Sequence, residues 1–357
     1  MRRVALLGAT GSIGRQALAV IDAQPDLSLC AVASGSTDLR ELAESRRVEH
    51  WQVGGDLTSL LDAARPDVVL NAVVGFAGVH ATLWALEGGV DLALANKESL
   101  VAAGELALDA WRRGGGRLLP VDSEHSAAFQ CLDGRSPETV ERLVLTASGG
   151  PFLGRTRGEL ADVTLADALA HPTWSMGPKI TTDSATLANK GLELIEAHFL
   201  FGLPYDRIDV LVHPGSLVHA LVSFRDGATL AHLGHPDMRV PISYALTYPE
   251  RATTPVAPLG LAGRTLEFEE PDGETFPLLG LAREAGRQAG TYPCAYNAAN
   301  EVAVAAFLSR RLPFLDIAAV VEETLARWEG EPADDLEELV GADARARELA
   351  EQGLVVG

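Results

Sequence analysis

Apolar and polar positions follow two different rhythms along this chain, and the point where one gives way to the other divides it. Residues 3–8 form a short apolar run that ends at Gly8-Ala9-Thr10-Gly11-Ser12-Ile13-Gly14, after which Ile13, Ala17, Val20 and Ile21 recur at helical spacing until Pro25. A second apolar run, Leu27–Ala33, stops at Ser34-Gly35. The same alternation predicts strands at Asp67–Val74, Val90–Ala95 and Arg117–Val121, with helices at Val79–Leu86 and Ser99–Trp111 between them. Strands interleaved with helices build a parallel sheet covered on both faces. After Asp122 the strands group instead, at Leu143–Thr146, Asp209–Val212, Leu221–Arg225 and Thr229–Leu233, with a long helix near Thr186–Phe201. Pro249, Pro255, Pro258, Pro271 and Pro277 mark a linker, and from about 278 the pattern is helical and acidic. The predicted fold class is α/β. An N-terminal, Rossmann-like doubly wound sheet (1–122) precedes an α+β domain (123–248), a linker (249–277) and a C-terminal helical bundle (278–357).

Bulk properties narrow the function. The chain has 357 residues, too many for one ordinary core. No apolar stretch is long enough to span a bilayer, and the basic start is followed at once by a glycine loop rather than by a signal-peptide core, so a cytoplasmic protein without a membrane partner is expected. Cys30, Cys131 and Cys294 lie far apart, which suggests neither a disulfide framework nor a zinc site. The net charge of −20 argues against a nucleic-acid partner, and an anionic substrate would need its cations placed locally.

The cations are unusual in kind. Only three lysines occur, Lys97, Lys179 and Lys190, and two of them close the repeated string Leu-Ala-Asn-Lys at 94–97 and 187–190. A compact ammonium on a flexible stem does not interchange with a guanidinium at a tight site, so a chain that otherwise uses arginine points to function at these lysines. Codon bias with accidental survivors is the bland alternative.

Three groups of residues carry chemistry. Gly8-x-x-Gly11-x-x-Gly14, between a strand and a helix, is a variant of the dinucleotide fingerprint, in which glycines admit a pyrophosphate to a helix N-terminus. The second strand ends in Ser34-Gly35-Ser36-Thr37 with no carboxylate before Asp38, which leaves room for the 2′-phosphate of NADP(H). Asp122-Ser123-Glu124 follows the last strand of that sheet, and two carboxylates one residue apart would point the same way if extended. Asn189, Lys190 and Glu193 can share one helix face. Three carboxylates with open positions suit Mg²⁺ or Mn²⁺, although for Asp122 and Glu124 taken alone a helix cap or a surface turn is the commoner explanation of so common a string. Thr146-Ala-Ser148-Gly-Gly-Pro151 resembles a phosphate nest. The Pro- and Gly-bounded stretch His171–Lys179 has no helical or strand period and reads as a loop whose Trp174 either covers a substrate or plugs the core.

In this order, the motifs GATGSIG (8–14), LANKESLV (94–101), LPVDSEHSAAFQ (119–130), TASGGPF (146–152), HPTWSMGPKITTDSATLANKGLELIEA (171–197), LVHPGSLVH (211–219) and AYNAANEVAVAAF (295–307) resemble the 1-deoxy-D-xylulose 5-phosphate reductoisomerase family over nearly the whole chain. The resemblance implies an NADPH- and metal-dependent homodimer that converts a small phosphorylated sugar to 2-C-methyl-D-erythritol 4-phosphate by retro-aldol and aldol steps followed by hydride reduction. It implies metal binding by Asp122, Glu124 and Glu193. Substrate contacts would come from Lys97, Ser123, Glu124, Ser148, His171, Trp174, Ser184, Asn189, Lys190 and Glu193, with Lys97, Glu124, His171 and Lys190 in catalysis. NADPH would be lined by Thr10, Gly11, Ser12, Ile13, Gly35, Asn96, Glu98 and Gly177, and Met176 would join Trp174 on the closing loop. Family members usually carry Gly-x-Asn where this chain has Gly35-Ser36-Thr37, and the 37–66 segment is short. Three other readings start from the same glycine loop, the first a paralogue with a rearranged catalytic domain and a related substrate, against which the HPTWSMG stretch (171–177) argues. A semialdehyde-type dehydrogenase needs an activated cysteine, for which Cys131 and Cys294 lack the context. An NADP-sensing regulatory protein would leave the acidic trio and both Asn-Lys pairs idle.

Overall fold

The computed structural model describes residues 1–354. The chain divides into two units, one of residues 1–100, 107–126 and 237–259, the other of 101–106, 127–236 and from 260 onward.

The first unit is a six-stranded parallel sheet. Its elements run β1 (Arg2–Leu7), α1 (Ser12–Ala23), β2 (Leu27–Ser34), α2 (Arg40–Arg46), β3 (His50–Val53), α3 (Leu57–Ala64), β4 (Val68–Asn71), α4 (Val79–Glu87), β5 (Asp91–Leu94), α5 (Lys97–Gly114) and β6 (Leu118–Pro120). The strand order β3-β2-β1-β4-β5-β6 reverses direction of build between β1 and β4, and ligands of open α/β sheets gather beyond the strand C-termini at such a reversal. Val4–Leu7 of β1 are fully buried, as a central strand covered on both faces must be. The segment 37–66, read from sequence only as short, holds α2, β3 and α3. β3 was missed because its four residues, His50-Trp51-Gln52-Val53, lie at a sheet edge and are half-buried or exposed, without an apolar run. Asp56 starts α3 by accepting the backbone N–H groups of Thr58 and Ser59.

The chain then enters α6 (Ser123–Leu132). The second unit holds β7 (Val140–Ala147), a short α7 (Leu165–Ala168), α8 (Pro178–Ala185), α9 (Ala188–Phe201), β8 (Ile208–Val212), β9 (Val218–Phe224) and β10 (Thr229–Leu233). Its sheet has the order β10-β9-β7-β8, with β7 and β8 parallel and the other neighbours antiparallel. α9 is buried nearly all round, so its Lys190, Glu193 and Glu196 are interior ionisable groups that must be compensated there. Next comes α10 (Arg239–Thr247), which packs on α1, β5 and β6 in the first unit, although the sequence reading set 237–248 with the α+β segment. Residues 249–277 contain no helix or strand, but Glu269 pairs with Val212 as an isolated bridge. α11 (Leu278–Gln288), α12 (Tyr292–Leu308), α13 (Asp316–Ala326) and α14 (Leu336–Gly353) complete the second unit, their apolar faces joined to the core around α9 and β7. Among the described residues, no helix is long and apolar enough to cross a membrane.

Candidate active site

The glycine loop of the first unit is shaped by steric necessity. Gly8 has φ +82°, and a Cβ there would lie 2.4 Å from the Ala72 carbonyl oxygen. At Gly14 a Cβ would fall 2.2 Å from the Gly8 carbonyl oxygen, so only glycine lets α1 settle against the loop. Gly11 stands at the N-cap of α1 without a side-chain cap, and the first-turn N–H groups face outward beside Thr10, Ser12 and Ile13. This is a fit for a dinucleotide pyrophosphate. At the end of β2, Gly35 is exposed with open space where a Cβ would be, and the Ser34 hydroxyl donates to the Thr37 carbonyl. Gly54 donates its N–H to the Ser34 carbonyl at 2.8 Å, so the Gly54-Gly55 turn after β3 belongs to this edge too. The two adjacent glycines were the signal that sequence reasoning passed over.

Asn96 is almost fully buried and caps α5. Its amide donates to the carbonyls of Val73 (2.7 Å) and Gly75 (2.9 Å) and to Glu98 (3.2 Å). It thereby ties the turn after β4 to the start of α5, while Asn71 holds the same turn through the Gly78 carbonyl and Thr82. Lys97, the first residue of α5, donates Nζ to Asp122 Oδ2 at 2.7 Å. Asp122 precedes α6, where its Oδ1 accepts the Glu124 N–H at 3.2 Å and lies 3.3 Å from His125 Nδ1. Ser123 donates Oγ–H to Glu124 Oε2 at 2.6 Å. Asp122 and Glu124 therefore sit around a helix start, the alternative that their spacing left open, and their carboxylate oxygens lie within 4.8 Å of each other. Ala127, Ala128, Cys131 and Leu132 of the same helix are buried.

In the second unit, the turn after β7 and the 171–177 loop share one hydrogen-bonded chain. His171 Nδ1 accepts the backbone N–H groups of Thr173 (3.1 Å) and Trp174 (2.9 Å), so its ring proton resides on Nε2 and is donated to Ser148 Oγ at 2.9 Å. Burial pushes the His171 imidazole below its ordinary pKa and keeps it in that neutral form. Ser148 Oγ also accepts the Gly150 N–H at 3.1 Å, so its own proton is left to donate. Gly149 and Gly150 both have positive φ, and a Cβ on Gly150 would meet the Ser184 carbonyl oxygen at 2.8 Å. That close approach places the Ser148 turn against the end of α8.

Between α8 and α9 the chain turns through Leu187 at φ +60°, an uncommon conformation for a leucine. The turn starts α9 so that Asn189 and Lys190 both reach Glu193. Asn189 donates Nδ2–H to Glu193 Oε1 at 2.5 Å, and Lys190 donates Nζ–H to Glu193 Oε2. Glu193 is 1% exposed, and its carboxylate is thus held and charge-compensated inside the protein. Trp174 is half-buried, with its ring centroid 6.3 Å from that of His219. It lies outside the core cluster. Burial, aided by the neighbouring His232 and Lys190, pushes His219 down to about 4. The structure also shows α8 (Pro178–Ala185), of which sequence reading saw only loop at 178–179. Pro178 at the first helical position gave the signal. Burial pushes the thiols of Cys131 and Cys294 up, leaving no activated nucleophile of the kind a semialdehyde-type dehydrogenase requires.

Comparison with known proteins accounts for both units. Family models described as 1-deoxy-D-xylulose 5-phosphate reductoisomerase match residues 4–53 and 36–104, with its C-terminal domain model matching 118–201 and a DXP reductoisomerase C-terminal domain model matching 233–349. A curated 1-deoxy-D-xylulose 5-phosphate reductoisomerase of Xanthomonas campestris pv. campestris is 50% identical over 99% of this chain and 97% of its own length. The chain belongs to the 1-deoxy-D-xylulose 5-phosphate reductoisomerase family. Among solved reductoisomerase structures, that from Zymomonas mobilis in complex with NADPH superposes with a TM-score of 0.89, at 41% identity over 99% of both chains. A DOX-P reductoisomerase in complex with NADPH, fosmidomycin and magnesium gives 0.94, at 37% identity over 100% of this chain and 99% of that one.

Proposed function

We propose that Asp122, Glu124 and Glu193 hold the divalent cation with which this chain, an NADPH-dependent reductoisomerase, converts 1-deoxy-D-xylulose 5-phosphate to 2-C-methyl-D-erythritol 4-phosphate. The observation that carries the residue assignment is the state of these carboxylates. Each is already engaged by N–H or O–H donors, with an ammonium on Asp122 and on Glu193. All-oxygen, carboxylate-rich donors suit Mg²⁺ or Mn²⁺. A bound divalent ion supplies Lewis acidity to adjacent oxygens of the ketose, and NADPH supplies the reducing hydride.

The protein's own groups do the positioning. The outward N–H groups of α1 and the hydroxyls of Thr10 and Ser12 take the cofactor pyrophosphate, with Gly35, Asn96, Glu98 and Gly177 shaping the rest of the nucleotide site. Ser148, its proton directed outward by His171, donates to the substrate phosphate together with Ser184, Asn189 and Lys190. Lys97 and Ser123 face the hydroxyl end, where Lys97 supplies positive charge as a carbon–carbon bond breaks and re-forms. Binding energy from the distant phosphate fixes the reacting end. The loop carrying Trp174 and Met176 covers the bound sugar and excludes water. In functional terms 1–122 serves NADPH, 123–248 metal and substrate, and 278–357 support, joined by 249–277. The working form is a cytoplasmic homodimer, a state light scattering checks.

The first experiment is NADPH oxidation with 1-deoxy-D-xylulose 5-phosphate in the presence and absence of Mg²⁺. Metal-dependent turnover is expected, and Glu124→Gln should abolish it while NADPH binding, followed by its fluorescence, stays within about twofold. Turnover retained by that variant would refute the metal assignment.

A further inference from the structure

Lys179 is the third of the chain's lysines and the one that the proposed reaction leaves without a task. It occupies the first turn of α8, where a cation opposes the helix dipole. Its Nζ lies 2.8 Å from Asp183 Oδ2, one turn on. Asp183 is 1% exposed and also accepts, on Oδ1, the amide of Asn300 at 2.9 Å. Asn300 is fully buried on α12, 117 residues away along the chain. Its Oδ1 is buried with no hydrogen-bond partner, so the contact with Asp183 is what its amide is used for.

Two neighbouring helices thus meet the C-terminal helices in different ways. α9 is seated by close apolar packing: a Cβ on Gly191 would lie 2.6 Å from Ala282 Cβ and 2.9 Å from Tyr296 Oη. α8 is seated on α12 by a buried carboxylate and an amide. An apolar pair of similar volume would serve stability as well or better, because burying charge is costly even when it is paired. A directed hydrogen bond to an ionised carboxylate adds orientation, since it permits one rotation of α8 about its axis. α8 begins at Pro178, directly after the loop 171–177, so its orientation sets where that loop is anchored.

We propose that Asn300 is a positioning residue that acts through Asp183 to fix α8, and with it the loop carrying Trp174. The C-terminal helices thereby take part in loop ordering without touching substrate. The functional consequence rests on the reading of 171–177 as a substrate cover, whereas the clamp is read independently of turnover. The test uses the full-length enzyme labelled with 5-fluorotryptophan; the chain has five tryptophans, and Trp174→Phe assigns the loop resonance. In Asn300→Ala the Trp174 fluorine signal should broaden or shift while the other four stay in place. The KM for 1-deoxy-D-xylulose 5-phosphate should rise about tenfold with kcat within about twofold, as expected when the closed loop becomes a minor population. Asn300→Asp should loosen the loop further by setting a second carboxylate against Asp183. A folded Asn300→Ala enzyme with an unmoved Trp174 resonance would overturn the clamp. A loosened Trp174 with unchanged kinetics would uphold the clamp and remove the cover reading instead.

Discussion

The glycine loop of the first unit and the α8–α9 region of the second each hold a preformed geometry, by opposite means. The loop does so with backbone. Its donors are N–H groups at the start of α1, and its side chains matter mainly by being absent at Gly8, Gly11 and Gly14. The α8–α9 region does so with side chains. A leucine held at positive φ turns the chain so that Asn189 and Lys190 bracket Glu193, and an imidazole of defined tautomer orients Ser148. A site made of backbone is damaged by adding atoms, and a site made of side chains by removing them.

The largest effect expected on this view is that of one added methyl group. Gly14→Ala places a Cβ 2.2 Å from the Gly8 carbonyl and 2.6 Å from Ala9 backbone atoms, neither of which can yield cheaply. NADPH affinity, measured by fluorescence titration, should fall by at least about a hundredfold, equivalent to about 2.7 kcal/mol. Affinity close to the parent's would mean that the loop can be rebuilt without its geometry, and the contrast between the regions would fail. Deleting one oxygen in the other region should do less. Ser148→Ala removes the hydroxyl that His171 orients and, on the proposed function, should raise the KM for the sugar phosphate about tenfold, leaving NADPH titration unchanged. An equal loss of NADPH affinity would show that the two sites are not chemically separate.

Acidification should have the smallest effect. The pKa of His171 is lowered in the folded protein, so its contribution is present in full above its ordinary value of 6.5 and is lost as pH falls through the lowered value. Protonation of Nδ1 removes the acceptor for the Thr173 and Trp174 N–H groups. KM should therefore climb by a few-fold below pH 6 in the parent, and His171→Asn should flatten that limb. A profile of the same shape in the variant would assign the acid limb to another group.

The same contrast explains what the sequence disclosed. Glycine spacing is a backbone signal written directly in residue identity, so the strand–loop–helix unit at 3–21 was legible at once. Strand β10 was placed at its observed bounds because its surroundings carry clear turn residues. Side-chain sites are harder, because what matters is the turn that aims the side chains, and a leucine at φ +60° leaves no mark in the sequence. The face shared by Asn189, Lys190 and Glu193 was readable from helical spacing, whereas the nearness of Asp122 to Glu124, expected of an extended backbone, is met instead around the start of α6. α8 was half hidden because its polar Thr181, Thr182 and Asp183 are buried and break the apolar period that would have announced it. The Asp183–Asn300 bond joins residues 117 positions apart, a distance over which local pattern carries no information.

The lysines of both units share one arrangement. All three ε-amino groups of the chain lie against carboxylates, Lys97 on Asp122, Lys179 on Asp183 and Lys190 on Glu193, with side chains no more than 17% exposed. An amine engaged in this way has no lone pair to offer a carbonyl carbon. An aldehyde formed during turnover would therefore find these three amines poor Schiff-base partners.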